Sequence, residues 1–84
     1  MSYRIIIERR AEKEIRKLKA NLRERIIKRI FDLAKEPRPT GCRKLMVLDG
    51  FRIRIGDYRV LYSINDTQNN VTIFRVMKRE KGYK

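Results

Sequence analysis

The sequence predicts an α+β domain. An N-terminal strand is followed by an antiparallel helical hairpin packed on one face of a small, mainly antiparallel sheet, in the order β-α-α-β-β-β. Three observations predict it. Segment 51–64 alternates with period two on both sides of Gly56-Asp57, as a tight β-hairpin does. Segment 9–36 carries apolar residues at spacings of three and four, as amphipathic helices do. The chain has 84 residues without a dividing linker or repeat, so residues 1–84 read as a single domain with a small core.

Taken in order, Tyr3–Glu8 contains Ile5-Ile6-Ile7, short and β-branched, and reads as a buried first strand. Ala11, Ile15 and Leu18 then form one helical stripe, with Arg9, Arg10, Lys13, Arg16 and Lys17 off it. Asn21 is the expected N-cap of a second helix, with Glu24 completing a capping-box pattern. Leu22, Ile26, Ile27, Ile30, Phe31 and Ala34 give that helix a broad apolar stripe. It should stop before Pro37, because the residue preceding a proline disfavours helix. Pro37-Arg38-Pro39-Thr40-Gly41 is turn-rich. Cys42–Gly50, with Leu45, Val47 and Leu48, reads either as a short strand or as an irregular packed segment. The hairpin follows, then a polar turn at Asp66–Asn70, and a last strand at Val71–Lys78 with Ile73, Phe74 and Val76. The tail 79–84 is short and basic.

Charge narrows the function. There are 23 Lys+Arg against 10 Asp+Glu, a formal charge of +13, far more than solubility requires. Such an excess attracts polyanions over roughly a Debye length, about 8–10 Å at physiological salt. Nucleic acid, the ribosome or an acidic protein are the expected partners. A 42% hydrophobic content argues against a disordered basic tail. No apolar run approaches the roughly 20 residues of a membrane helix, and the N-terminus does not read as a signal peptide. Cys42 is the single cysteine, which excludes an internal disulfide and suits a reducing cytoplasm. There is no histidine, so the usual acid/base near pH 7 and the commonest metal ligand are both missing. The expectation is no cofactor and no metal.

The hairpin carries the sharpest functional signal. Closure on Gly56-Asp57 sets Ile55 against Tyr58, Arg54 against Arg59, Ile53 against Val60 and Phe51 against Tyr62. One face is then apolar and turns to the helices. The other holds Arg52, Arg54 and Arg59. Two arginines directly opposed repel one another. The arrangement suits an anion seated between them, and guanidinium forks match phosphate. Asp57 competes as a pairing partner or as a simple turn residue. Lys78, Arg79, Lys81 and Tyr83 can return toward this face from the last strand. The cations of the helices read first as a solvated surface and second as a sequence-independent phosphate contact.

These residues resemble a known family. Lys44-Leu45, Gly50 through Tyr62 with its core Arg54-x-Gly-Asp-Tyr-Arg59-x-x-Tyr62, Arg75-Val76, and Lys78 through Tyr83 resemble the RelE/ParE superfamily of toxin–antitoxin toxins, in its RelE-like branch. The resemblance covers the whole chain. It implies a compact toxin, neutralised by a RelB-like antitoxin, that enters the ribosomal A site and cuts mRNA there, with 2′-hydroxyl attack and without metal; the ribosome (rRNA) and mRNA are its implied partners. It implies Arg54, Arg59, Arg79 and Tyr83 as catalytic residues. It implies Arg52, Lys44, Lys78 and Lys81 as RNA or phosphate contacts. Arginines supply stabilisation of the phosphorane, and preorganised charge is often the largest catalytic contribution. Arginine is effectively never deprotonated, with pKa above about 12, so Tyr83 is the base by elimination, with Lys78 or Lys81 as the alternatives. The acid stays unassigned. Two other readings stand beside this one: a ParE-like poison of DNA gyrase, and a non-catalytic relative that binds RNA or antitoxin.

Overall fold

The structure, a computed structural model, describes residues 2–46 and 49–78. Five strands form one sheet with the spatial order β1-β5-β4-β3-β2, and two helices lie against it. The strands are β1 (Arg4–Ile7), β2 (Arg43–Lys44), β3 (Phe51–Ile55), β4 (Tyr58–Asn65) and β5 (Asn70–Lys78); the helices are α1 (Arg9–Arg16) and α2 (Ala20–Asp32). Pairing is antiparallel throughout, except that β1 runs parallel to β5.

The first strand corrects an expectation. β1 lies at the sheet edge, and the helices cover one face of the sheet, so only one side of the strand meets the core. Ile5 and Ile7 are half-buried, while Ile6 points outward and is 37% exposed. A β-branched triplet marks a strand, yet its burial depends on how many neighbours the sheet supplies.

The helices follow their stripes with two changes. Ala11 and Ile15 of α1, and Ile26 and Ile30 of α2, are buried, and Leu33 just beyond α2 joins them. Phe31, placed by sequence on the broad stripe, is instead 54% exposed. The expected cap at Asn21 is also corrected. α2 begins two residues earlier, Lys19 occupies the N-cap without a side-chain bond, and Asn21 lies inside the first turn. The start is held from outside: Arg23 Nη1 donates to the carbonyls of Arg16 (3.3 Å) and Leu18 (3.2 Å), tying the helix–helix connection to α2.

The core unites Ala11, Ile15, Ile26, Ile30 and Leu33 with Ile53, Ile55, Val60, Tyr62, Val71, Ile73 and Val76. Each such aliphatic contributes about 1.5–3 kcal/mol on burial. A bulge explains the spacing in β5. Leu61 pairs with Arg75 but Tyr62 pairs with Ile73, leaving Phe74 as the extra residue. Strict alternation from Val71 and Ile73 would bury Arg75; the bulge sends Val76 inward and Arg75 outward.

The ambiguous segment forms the two-residue strand β2, which pairs Arg43 with Arg52 and Lys44 with Phe51. Val47 and Leu48 lie outside the described residues. Gly50 is dictated by close approach: a Cβ there would come within 2.7 Å of the Tyr62 backbone oxygen.

β5 is longer than β1, and its uncovered edge is closed by a side chain. Glu14 of α1 accepts from the Val76 N–H (2.7 Å) and pairs with Arg75 (2.9 Å). A carboxylate thereby occupies a donor that another chain's strand would otherwise use.

Candidate functional site

The hairpin forms in the register the alternation dictates. Phe51 faces Tyr62, Ile53 faces Val60, Arg54 faces Arg59 and Ile55 faces Tyr58. Gly56 has φ +59°, while Asp57 is not among the residues with positive φ. These are the φ signs of a type II′ turn, whose first central position favours glycine. Its twist matches that of the flanking strands, so the turn and the alternation support the same register.

The inner face is closed. Ile53, Ile55, Val60 and Tyr62 are buried, and Tyr62 stacks on Phe51 with centroids 6.0 Å apart. The Tyr62 hydroxyl donates to the Pro37 carbonyl (2.8 Å), which satisfies a phenol otherwise stranded in the core. Burial first, and the Cys42 thiol second, hold this phenol well above its ordinary pKa. Arg38 spans the same region. It stacks over the Phe51 ring at 5.5 Å and pairs with Asp66 (3.0 Å), which also accepts from Tyr3 (2.6 Å). The bond from Arg38 and then that from Tyr3 hold the Asp66 carboxyl below the usual carboxylate range.

The outer face is cationic. Arg54 is exposed, and Arg52 and Arg59 are half-buried. Arg43 joins them through its pairing with Arg52, and Gly41, Arg43, Arg52 and Arg54 line a cavity of about 330 Å³. By register Arg75 and Met77 continue the face on β5. Arg75 of this face pairs with Glu14, while Arg16–Glu12, Lys28–Asp32 and Arg38–Asp66 pair away from it. Arg75 is therefore neutralised, whereas Arg43, Arg54 and Arg59 have no carboxylate against them among the described residues. Arg59 Nε is buried and has no hydrogen-bond partner among the described residues. A buried donor left unpaired costs about 1–3 kcal/mol.

Other predicted positions are distributed differently. Lys44 pairs with Phe51 and Lys78 with Tyr58, so the register assigns both to the helix-facing side. Both are exposed at the sheet margins. Asp57 is exposed and forms no ion pair with the arginines. Arg79, Lys81 and Tyr83 lie outside the described residues. Arg43 is the cation that sequence reasoning passed over. Its signal was its parity relative to Arg52, visible only once the register of β2 is known.

No group of three or more His, Cys, Asp or Glu side chains converges among the described residues. No helix among them is long and apolar enough to cross a membrane.

The same architecture occurs in solved toxins. The isolated RelE toxin of Escherichia coli superposes with a TM-score of 0.84 at 28% identity, over 96% of this chain and 88% of that one. A chain from the RelBE2 toxin–antitoxin complex of Mycobacterium tuberculosis gives 0.83 at 32% identity, over 94% of this chain and 100% of that one. Fold and site together define a small, basic α+β protein of the toxin class. Residues 5–83 match the family described as the ParE toxin of the type II toxin–antitoxin system parDE. The mRNA interferase toxin RelE of E. coli strain K12 is 30% identical over 84 residues, 98% of this chain and 88% of its own length. The chain belongs to this RelE/ParE family of type II toxins and is homologous to its RelE members.

Proposed function

We propose that this toxin is an endoribonuclease that cuts mRNA in the ribosomal A site, by metal-independent attack of a 2′-hydroxyl on the adjacent phosphate. The observation that carries the reading is the opposed pair Arg54 and Arg59 on the open face, with the buried Arg59 Nε unpartnered. Supporting it, curated relatives of near-complete coverage are named mRNA interferases.

In this mechanism the 2′-oxygen bonds to phosphorus and the bond from phosphorus to the 5′-oxygen breaks. Arg59 and Arg54 hold the non-bridging oxygens as charge builds on them, with Arg52 and Arg43 on the flanking phosphate. Arg79 adds a further cation from the tail. Tyr83 or Lys81 takes the 2′-hydroxyl proton; the 5′-oxygen leaves as a hydroxyl with a proton drawn from water, and a 2′,3′-cyclic phosphate remains. Lys78, paired with Tyr58, lies on the helix-facing side and is set aside as the base. A site with strong charge stabilisation but a weak base depends on orientation. A ribosome that holds mRNA in an in-line geometry supplies part of the roughly 7–11 kcal/mol available to ideal positioning.

The test is incubation of purified protein with mRNA, with and without programmed ribosomes. Cutting only with ribosomes, and within the A-site codon, is expected. Rapid cutting of free RNA overturns ribosome dependence. Ribosome binding without cut mRNA leaves a non-catalytic relative.

The matching family is described as the ParE toxin, and a ParE-like gyrase poison is the second reading. Double-strand DNA breaks with translation intact would select it.

The partner proposed is a RelB-like antitoxin with an acidic contacting segment. Structural relatives include the RelE–RelB complex of Pyrococcus horikoshii and the intact RelBE complex of E. coli. A toxin of charge +13 should bind such a segment less tightly as salt rises.

A further inference from the structure

A cleft of about 620 Å³ lies on the other side of the same hairpin turn, between the α1–α2 connection and Gly56-Asp57-Tyr58. Its lining is mixed. Leu18, Leu22 and Tyr58 are half-buried and offer an apolar wall; Lys17, Lys19, Arg25 and Asp57 are exposed. None of these four charged groups is ion-paired among the described residues. Arg25 reaches across from α2 to the turn, its Nη2 within 4.0 Å of where a Gly56 Cβ would stand. The two walls are held rigidly, one by the Arg23 bonds to the connection and the other by the Ile55–Tyr58 closing pair.

We propose that this cleft is a second RNA subsite that takes one unpaired nucleotide, with preference for guanine. The inference rests on the RNA-acting reading above. The volume falls within the roughly 300–1,000 Å³ of small-molecule sites. An unstacked base lies against aromatic and aliphatic groups, here Tyr58, Leu18 and Leu22. Lys19 and Arg25 take its phosphate. The Asp57 carboxylate selects the base: it accepts the paired N1–H and N2–H donors that guanine presents side by side and adenine lacks. Because Gly56-Asp57 separates this cleft from Arg54 and Arg59, one RNA strand passing the turn can place a nucleotide here and a phosphate on the arginine face.

The experiment follows backbone amide shifts of the isotopically labelled full chain during titration with GMP, AMP, inorganic phosphate and a poly-glutamate peptide at fixed ionic strength. Saturable GMP shifts are expected at Leu18, Asn21, Leu22, Asp57 and Tyr58, about fivefold or more tighter than AMP. Asp57→Asn, tolerated in a turn, should bring GMP and AMP within about twofold. Arg25→Ala should weaken both about fivefold. Well-dispersed spectra of the variants show that they remain folded. GMP shifts confined to Arg43, Arg52, Arg54 and Arg59, equal binding of inorganic phosphate or poly-glutamate, or an unchanged preference in Asp57→Asn each overturn the subsite. None of these readouts involves cleavage, so failure of the ribosome assay and failure of the cleft are separately visible.

Discussion

The two faces of the β3–β4 hairpin share one backbone and one turn, yet they are built on opposite rules. The inner face is dry and satisfied: Ile53, Ile55, Val60 and Tyr62 are buried, and the Tyr62 hydroxyl finds the Pro37 carbonyl. The outer face sets Arg54 against Arg59, adds Arg43 and Arg52, and leaves Arg59 Nε unpartnered among the described residues. Stability therefore resides in one face and is partly given up on the other. The hairpin tolerates local repulsion because the opposite side of each residue pair anchors it in the core.

Substitutions on the two faces should separate stability from activity. The largest effect is expected from Ile53→Ala. A cavity beneath the hairpin should cost about 2–5 kcal/mol, read as a lower urea midpoint at unchanged slope. Cleavage per folded molecule should persist. Arg59→Ala should do the reverse. Cleavage on programmed ribosomes should fall about 10²–10³-fold. Stability should hold or rise by up to about 1 kcal/mol, because a like-charge pair is relieved. Full activity in that variant removes the central claim about the site.

Tyr62→Phe probes the inner face more gently. It leaves the Pro37 carbonyl without its donor and should cost about 1–3 kcal/mol. The same tyrosine predicts alkaline sensitivity. Its folded pKa is raised, so its contribution is fully present below about pH 10, the unfolded value, and is lost as pH rises beyond it. Tyr62→Phe should flatten that alkaline limb of the unfolding curve.

Glu14→Gln tests the neutralisation of Arg75 on the outer face. The amide oxygen can still accept from Val76, so the expected loss is only about 1 kcal/mol in thermal unfolding. Arg75 is released, and RNA affinity should rise slightly with a steeper salt dependence. The smallest effect is expected at Asp66, which is exposed. Its folded pKa is lowered, so its contribution is present above about pH 4 and is lost as pH falls through the folded value. Asp66→Asn should remove a shallow part of the acid limb and leave neutral stability nearly unchanged.

Legibility in the sequence followed the distance over which each feature is encoded. The hairpin was readable to the residue, because its register needs only a two-residue turn and strict alternation within fourteen positions, Phe51–Ile64. Ala11, Ile15, Ile26 and Ile30 were readable for the same local reason. Local periodicity failed at two positions in α2. Near Asn21 the chain entered the helix two residues early, and at Phe31 the stripe proved narrower than the apolar residues suggested.

The amino-acid sequence by itself determined the fold class, the hairpin register and the opposition of Arg54 to Arg59, because each rests on neighbours within one element or one turn. Tertiary structure alone decided that β1 lies at an edge and parallel to β5, and that Glu14 closes the remaining edge. It also decided that a bulge at Phe74 turns Arg75 outward, and that Arg43 rather than Lys44 meets the arginine cavity. Each of these depends on which strand lies beside which. That choice is made between residues far apart in the chain, through burial and the satisfaction of backbone donors, and short-range periodicity carries no record of it.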